Sequence, residues 1–183
     1  MPPRARPPIE DFESERPDLD PEIQGIRTRL LSIGARISRD SHRLARTVGL
    51  SGPELRVLYT LRRTGPPYEM RPTDLFEALL VPSGTMTRQI DRLERMGYVE
   101  RNDDPNDRRG ARVRLTERGF VIADDLLTVS VRDSRVSEAV RRLSADERTT
   151  LARILKLLLI AIDEIEDQRR VSEGDDEERV DPP

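Results

Sequence analysis

The sequence predicts a mainly helical protein with one small β-hairpin, and three observations carry that expectation. Apolar residues recur at spacings of three and four along most of residues 21–165. Within that span, a proline-containing turn separates a short helical stretch from a longer one. Immediately after the longer stretch, the period of the pattern changes from helical to alternating.

The turn is Leu80-Val81-Pro82-Ser83. Pro82 cannot extend the helix before it but suits the first turn of the next. From there Met86, Ile90, Leu93 and Met96 mark one apolar helical face, while Thr85, Thr87, Arg88, Asp91, Arg92 and Arg95 are polar. A helix of this kind, entered from a tight turn, suits insertion into a DNA major groove. Taken alone, the pair fits an ordinary helical hairpin equally well.

The following segment tips the balance. Gly97 stands where a left-handed residue ends a helix. Tyr98 and Val99 begin a strand, and Arg112-Val113-Arg114-Leu115 alternates with period two. Between them, Asp104-Pro105-Asn106-Asp107-Arg108-Arg109-Gly110 supplies the residues that reverse a chain. A helix-turn-helix followed by a basic-tipped hairpin is a winged helix. The arginines of such a wing can reach a minor groove, where they sense narrowed A·T-rich geometry.

These residues resemble the MarR-type family of winged-helix transcriptional regulators. The marks are Asp104-Pro105-x-Asp107-Arg108-Arg109-Gly110, Leu115-Thr116-x-x-Gly119, and Thr85-Met86-Thr87-Arg88 leading to Asp91-Arg92-Leu93-Glu94. The likeness spans roughly residues 21–165, with Arg71 and Pro82 standing where the family often has Ser or Thr, and Ser. The resemblance implies that Arg109 enters the minor groove and that Asp107 holds its guanidinium. An aspartate at this tip could instead stabilise the turn through its own backbone. Arg108 joins them as the third wing residue. The resemblance also implies a dimer on a palindromic operator, most often a repressor. A ligand pocket would be lined by the first, second and fifth helices. Its occupant is expected to be a small aromatic or amphipathic effector.

Taken in order, the first helix begins at Asp20-Pro21, a capping residue followed by proline at the first helical position. Ile23, Ile26, Leu30, Ile33 and Ile37 form its seam, and it runs to a stop near Gly49. The lone histidine, His42, reads as a surface residue rather than a ligand. Ser51 and Glu54 form a capping box for a second helix burying Leu55, Leu58, Tyr59 and Leu61. After the breaker at residues 63–67, Tyr68-Glu69-Met70 fits one short strand. Thr73-Asp74 opens the next helix, with Leu75, Leu79 and Leu80 expected to face inward. Thr116 caps a helix through Phe120, Leu126 and Val131. A second capping box, Ser144 to Glu147, opens a last helix from Ala145 to about Asp167.

That last helix is apolar on more than one face, with Leu151, Leu155, Leu158 and Ile162 on its main stripe. With Ile23, Ile26 and Leu30 these are the expected dimer contacts; a purely intramolecular bundle is the alternative. The expected organisation is a tail at 1–19, one winged-helix domain at 20–167 and a second tail at 168–183. Within the domain the winged core covers about 50–116. The dimer helices cover about 20–48 and 117–167. Ser83, Thr85, Thr87 and Arg88 are the expected major-groove residues, Arg88 being the candidate for a guanine edge. Arg71, Thr73 and Arg92 are the expected contacts to the DNA backbone.

A net charge of −3 hides a division. The first twenty residues hold three arginines against six acids, and residues 163–183 hold three against ten. The intervening segment is left at +7, basic between acidic tails that suit disorder or competition with DNA. Arginine outnumbers lysine 31 to one, and its planar fork suits phosphate and guanine. Cysteine is absent, which removes disulfides and thiol redox sensing. No Gly-rich phosphate loop or HExxH motif occurs, so neither an enzyme nor a cofactor is expected. The longest apolar run, Leu157–Ile162, is far short of the ~18 residues a membrane span needs. With no signal-peptide pattern, a cytoplasmic protein is expected. The function expected is a homodimeric regulator that reads double-stranded DNA. The alternative is a winged helix serving protein–protein assembly.

Overall fold

The computed structural model describes residues 19–104 and 107–177; side chains at 104–109 and from 170 onward lie outside that description. The chain divides into two units, residues 1–137 and 138–183. Helix α1 (Pro21–Arg46) is followed by α2 (Gly52–Arg63), strand β1 (Glu69–Met70), α3 (Pro72–Leu79) and α4 (Ser83–Arg95). Strands β2 (Val99–Asp104) and β3 (Asp107–Leu115) come next, then α5 (Glu117–Asp133), α6 (Arg135–Arg141) and α7 (Ala145–Glu177). This is the mainly helical architecture with a small β-wing that the sequence pattern implies.

Local signals place most of these ends. Asp20 accepts hydrogen bonds from the backbone N–H of Glu22 and Ile23 at 2.9 and 3.1 Å, with Pro21 entering the helix behind it. The Ser51–Glu54 capping box is closed in both directions, at 2.7 and 3.4 Å. The Ser144–Glu147 box is closed likewise, and hydrogen bonds from Ser144 hold the Glu147 carboxyl below its usual range.

Helix α2 is the centre of the first unit. It packs against α1, α3, α4, α5 and β3. Val57 is buried together with Leu55, Leu58, Tyr59 and Leu61, so burial extends beyond the single face that the pattern suggested. Leu75 of α3, Met86, Ile90 and Leu93 of α4, and Ala123 of α5 close the core around it. Arg62 clamps α5 to α2: its guanidinium donates to Asp124 at 2.7 and 3.0 Å and lies 4.5 Å over the Phe120 ring.

The three strands form one antiparallel sheet in the order β1-β3-β2. Met70 pairs with Val113, and Val99 with Leu115, so Val99, Val113 and Leu115 all point into the core. The register shifts between Asp103 and Asp104, where the hairpin approaches its tip. Behind the wing, Thr116 Oγ1 donates to the Gly97 carbonyl and accepts from the Gly119 N–H, which ties the end of α4 to the start of α5. A Cβ at Gly119 would lie 1.8 Å from the Tyr98 carbonyl oxygen, so this approach requires glycine.

Three expectations are corrected. Leu80 does not face inward: it caps α3 in the left-handed conformation (φ 51°), and its side chain is 79% exposed. The reversal rotates residue 80 out of the helical register, which breaks the pattern that Leu75 and Leu79 follow. The short α6 went unforeseen, because residues 135–141 carry no clear apolar stripe. Residues 168–177, expected to begin a disordered tail, instead continue α7 to Glu177. That stretch opens with Gln168, Arg169 and Arg170, which favour helix, and contains no proline to stop it. No helix among the described residues is long and apolar enough to cross a membrane.

Candidate nucleic-acid interface

Helix α4 buries Met86, Ile90 and Leu93 and turns its other face outward. Ser83, Thr85, Thr87 and Arg88 are all exposed on it. Thr87 donates to the Ser83 carbonyl at 3.1 Å and Arg88 Nε to the Gly84 carbonyl at 3.2 Å. These are bonds within the helix surface. Neither α3 nor α4 has a side-chain cap, since Arg71 and Pro82 occupy the two N-cap positions. Thr73 is exposed in the first turn of α3, its hydroxyl 3.3 Å from the Asp74 carboxylate.

Arg92 has a structural partner that the sequence reading did not foresee. Its Nη1 donates to both carboxylate oxygens of Glu54 at 2.7 Å, and its Nη2 to the Gly49 carbonyl at 3.0 Å. Glu54 is only 4% exposed and already closes the α2 capping box. Arg92 therefore joins α4 to the α1–α2 junction while its side chain stays 45% exposed. Sequence spacing could not reveal a pair that lies 38 positions apart.

A second clamp joins α4 to the wing. Arg101 on β2 binds both Asp91 and Glu94 of α4. Its hydrogen bond to Asp91 is the chief reason its pKa is raised above that of an ordinary arginine. The two acids on the outer side of α4 thus have a structural purpose beside DNA. Of the wing tip, the backbone of Asp107, Arg108 and Arg109 belongs to β3, while their side chains lie outside the described residues.

A cavity of about 430 Å³ opens in the first unit. Helix α1 contributes Ile37 and His42, α2 contributes Arg56, Tyr59 and Arg63, and α5 contributes Leu127. Burial pushes the Tyr59 hydroxyl up to about 12, opposed by nearby Ser130 and the charge of Arg63. Arg56 also donates to the carbonyl of Leu79, the last residue of α3, at 2.8 Å. His42 is exposed, and its ring occupies the space that a Cβ at Gly52 would need. Elsewhere, Ile23, Ile26 and Leu30 of α1 remain exposed, as do Leu151, Leu155, Leu158 and Ile162 of α7.

A helix-turn-helix with a solvent-facing second helix, braced by a β-hairpin, defines a winged-helix protein. The family model described as MarR family matches residues 50–110. The HTH-type transcriptional regulator PecS of Dickeya dadantii is 31% identical over 147 residues, covering 80% of this chain and 87% of PecS. The multiple antibiotic resistance protein MarR of Salmonella typhimurium is 30% identical over 142 residues, covering 78% and 96%. Among solved structures, a mutant MarR from E. coli complexed with operator DNA superposes with a TM-score of 0.60 at 30% identity. That likeness covers 75% of this chain and 96% of the other. The chain belongs to the MarR family.

The Glu54–Arg92 pair yields a prediction that separates its two possible roles. Arg92→Gln leaves a buried carboxylate without its cation. With Arg92 partly exposed, the expected loss of stability is about 1–3 kcal/mol. Urea unfolding without DNA measures it. Unchanged stability with weakened DNA binding would return Arg92 to the phosphates.

Proposed function

We propose that this protein is a homodimeric transcriptional regulator that reads double-stranded DNA and acts as a repressor. The observation that carries the reading is the exposed polar face of α4. Serine, threonine and arginine stand there without apolar neighbours, beside a wing whose sequence is basic. An assembly module would instead present an apolar patch with aromatic anchors on this helix. Ser83, Thr85, Thr87 and Arg88 face the major groove, and the uncapped first-turn N–H groups of α4 favour nearby phosphate. Arg71 and Thr73, at the start of α3, serve the DNA backbone in this reading. Asp107, Arg108 and Arg109 form the minor-groove element, with Asp107 orienting Arg109 through a charge-assisted hydrogen bond.

The exposed apolar faces of α1 and α7 support the dimer. Isolated exposed leucines are ordinary, but contiguous stripes of isoleucine and leucine on helices are not, and a second copy of the chain covers them. The winged-helix domain at 20–167 then comprises a DNA-reading core at about 50–116, with dimer helices on either side.

The 430 Å³ cavity is the effector site in this reading. Its arginines and the Tyr59 hydroxyl suit a small aromatic acid. Such an acid competes with the Leu79 carbonyl for Arg56, loosening the end of α3 and the turn that leads into α4. DNA affinity falls because the bound acid favours an arrangement that does not fit the half-sites.

Three outcomes are expected. Arg88→Ala costs about 1–3 kcal/mol at one base position in each half-site and relaxes the preference there; an equal loss for every sequence would make Arg88 a phosphate contact. Light scattering at low micromolar concentration gives twice the 21.0 kDa chain mass, and a clean monomer would remove the dimer. Aromatic carboxylates shown to bind by calorimetry weaken operator binding by the wild type but not by Arg56→Met. An equal response from both proteins would detach Arg56 from the coupling.

A further inference from the structure

A second depression, of about 510 Å³, lies at the junction of α1, α2 and α4, and every ionisable side chain lining it is basic. Arg39, His42 and Arg46 follow one another on α1 at steps of three and four, which sets them on one face. Arg92 of α4 closes the other side, and the backbone from Gly49 to Gly52 forms the floor. No carboxylate lines it. The nearest acid of α1, Asp40, pairs with Arg43 at 3.5 Å, and Glu54 is turned to Arg92 and Ser51. The side chains of Arg39 and Arg46 have no ion pair or hydrogen bond among the described residues. Arg92 is neutralised by Glu54, but Arg39 and Arg46 add their charge to the same depression with no carboxylate lining it, an arrangement that an anion relieves.

The location indicates which anion. Arg92 also borders the neighbouring depression on the outer face of α4, lined by Thr85, Arg88, Gln89 and Arg95 together with the carboxylates Glu54 and Asp91. Arg88 and Arg92 are one helical turn apart, about 6 Å along the axis. Arginines of α4 and α1 thus border one continuous surface, on which Asp91 is taken by Arg101 and Glu54 by Arg92. A duplex that receives the start of α4 in its groove carries its sugar–phosphate backbone past the flanks of that helix.

We propose that Arg39 and Arg46, with His42 between them, form a phosphate-binding site for the DNA backbone flanking the recognition helix, so that α1 serves DNA contact as well as dimerisation. The site takes phosphodiester oxygens and adds affinity without sequence preference. The proposal rests on the DNA-binding reading above.

The test compares full-length wild type with Arg39→Gln/Arg46→Gln and with a control, Arg27→Gln/Arg29→Gln, which removes the same charge from the opposite end of α1. Binding to a fluorescein-labelled random-sequence duplex is measured between low and moderate salt, with Tm recorded for each protein. The site predicts that the 39/46 variant keeps its Tm, binds roughly tenfold or more weakly, and flattens the slope of log K against log salt by about 0.9 per lost contact. The control retains wild-type affinity and slope.

Four results would overturn the proposal. Three are a 39/46 variant that matches wild type, a control that loses as much as that variant, and a 39/46 loss that comes only with a fallen Tm. The fourth is a Tm raised by inorganic phosphate through Arg39 and Arg46 while DNA binding is untouched, which assigns the site to a free anion. Failure of the wild type to bind any duplex would instead refute the DNA-binding reading itself.

Discussion

The arrangement of the first unit depends on one buried carboxylate. Glu54 is the charged side chain buried among the described residues, and removing an anion from water is costly unless its oxygens are satisfied. Here they are satisfied three times over. Glu54 accepts the Ser51 N–H that begins α2 and takes Arg92 Nη1 on both oxygens, while the same guanidinium donates to Gly49. One residue thus caps the central helix and fixes the rotation of α4 about its axis. With Met86, Ile90 and Leu93 held in the core, that rotation puts Thr85, Thr87 and Arg88 outside. The wing follows, because Arg101 attaches β2 to Asp91 and Glu94 of the same helix. Recognition helix and wing are consequently set relative to each other by charge pairs and to the core by apolar packing.

The division of labour among arginines follows from geometry rather than composition. Arg62 stacks on Phe120 and binds Asp124, Arg92 and Arg101 brace α4, and Arg56 reaches the end of α3. Arg88 makes only a local bond to Gly84 on the exposed face. A planar fork that can bond two partners at once suits bracing as well as DNA contact, so the arginine excess serves both purposes. The +7 of residues 21–162 is therefore partly spent inside the protein.

Features with local causes were legible in the sequence. Asp20-Pro21, the two capping boxes, Gly97 and the alternation at 112–115 each act within a few residues, and each lies where its pattern implies. The two-sided burial of α2 was less legible, since burial depends on how many neighbours surround a helix. Leu80 misled because one left-handed residue cancels the helical period. The Arg92–Glu54 pair was not legible because its two members stand on different helices. Arg101 escaped notice for the same reason: hairpin and helix meet only after folding. The continuation of α7 shows that high charge alone does not end a helix.

The central claim is that α4 enters the major groove in two symmetry-related half-sites. Dimethyl sulfate footprinting on the DNA flanking the protein's own gene tests it most directly, because the reagent reads guanine N7 at the groove surface that Arg88 is set to approach. Two protected patches about one helical turn apart and related by a two-fold axis are expected. A single patch, or uniform protection that disappears with modest salt, would contradict it.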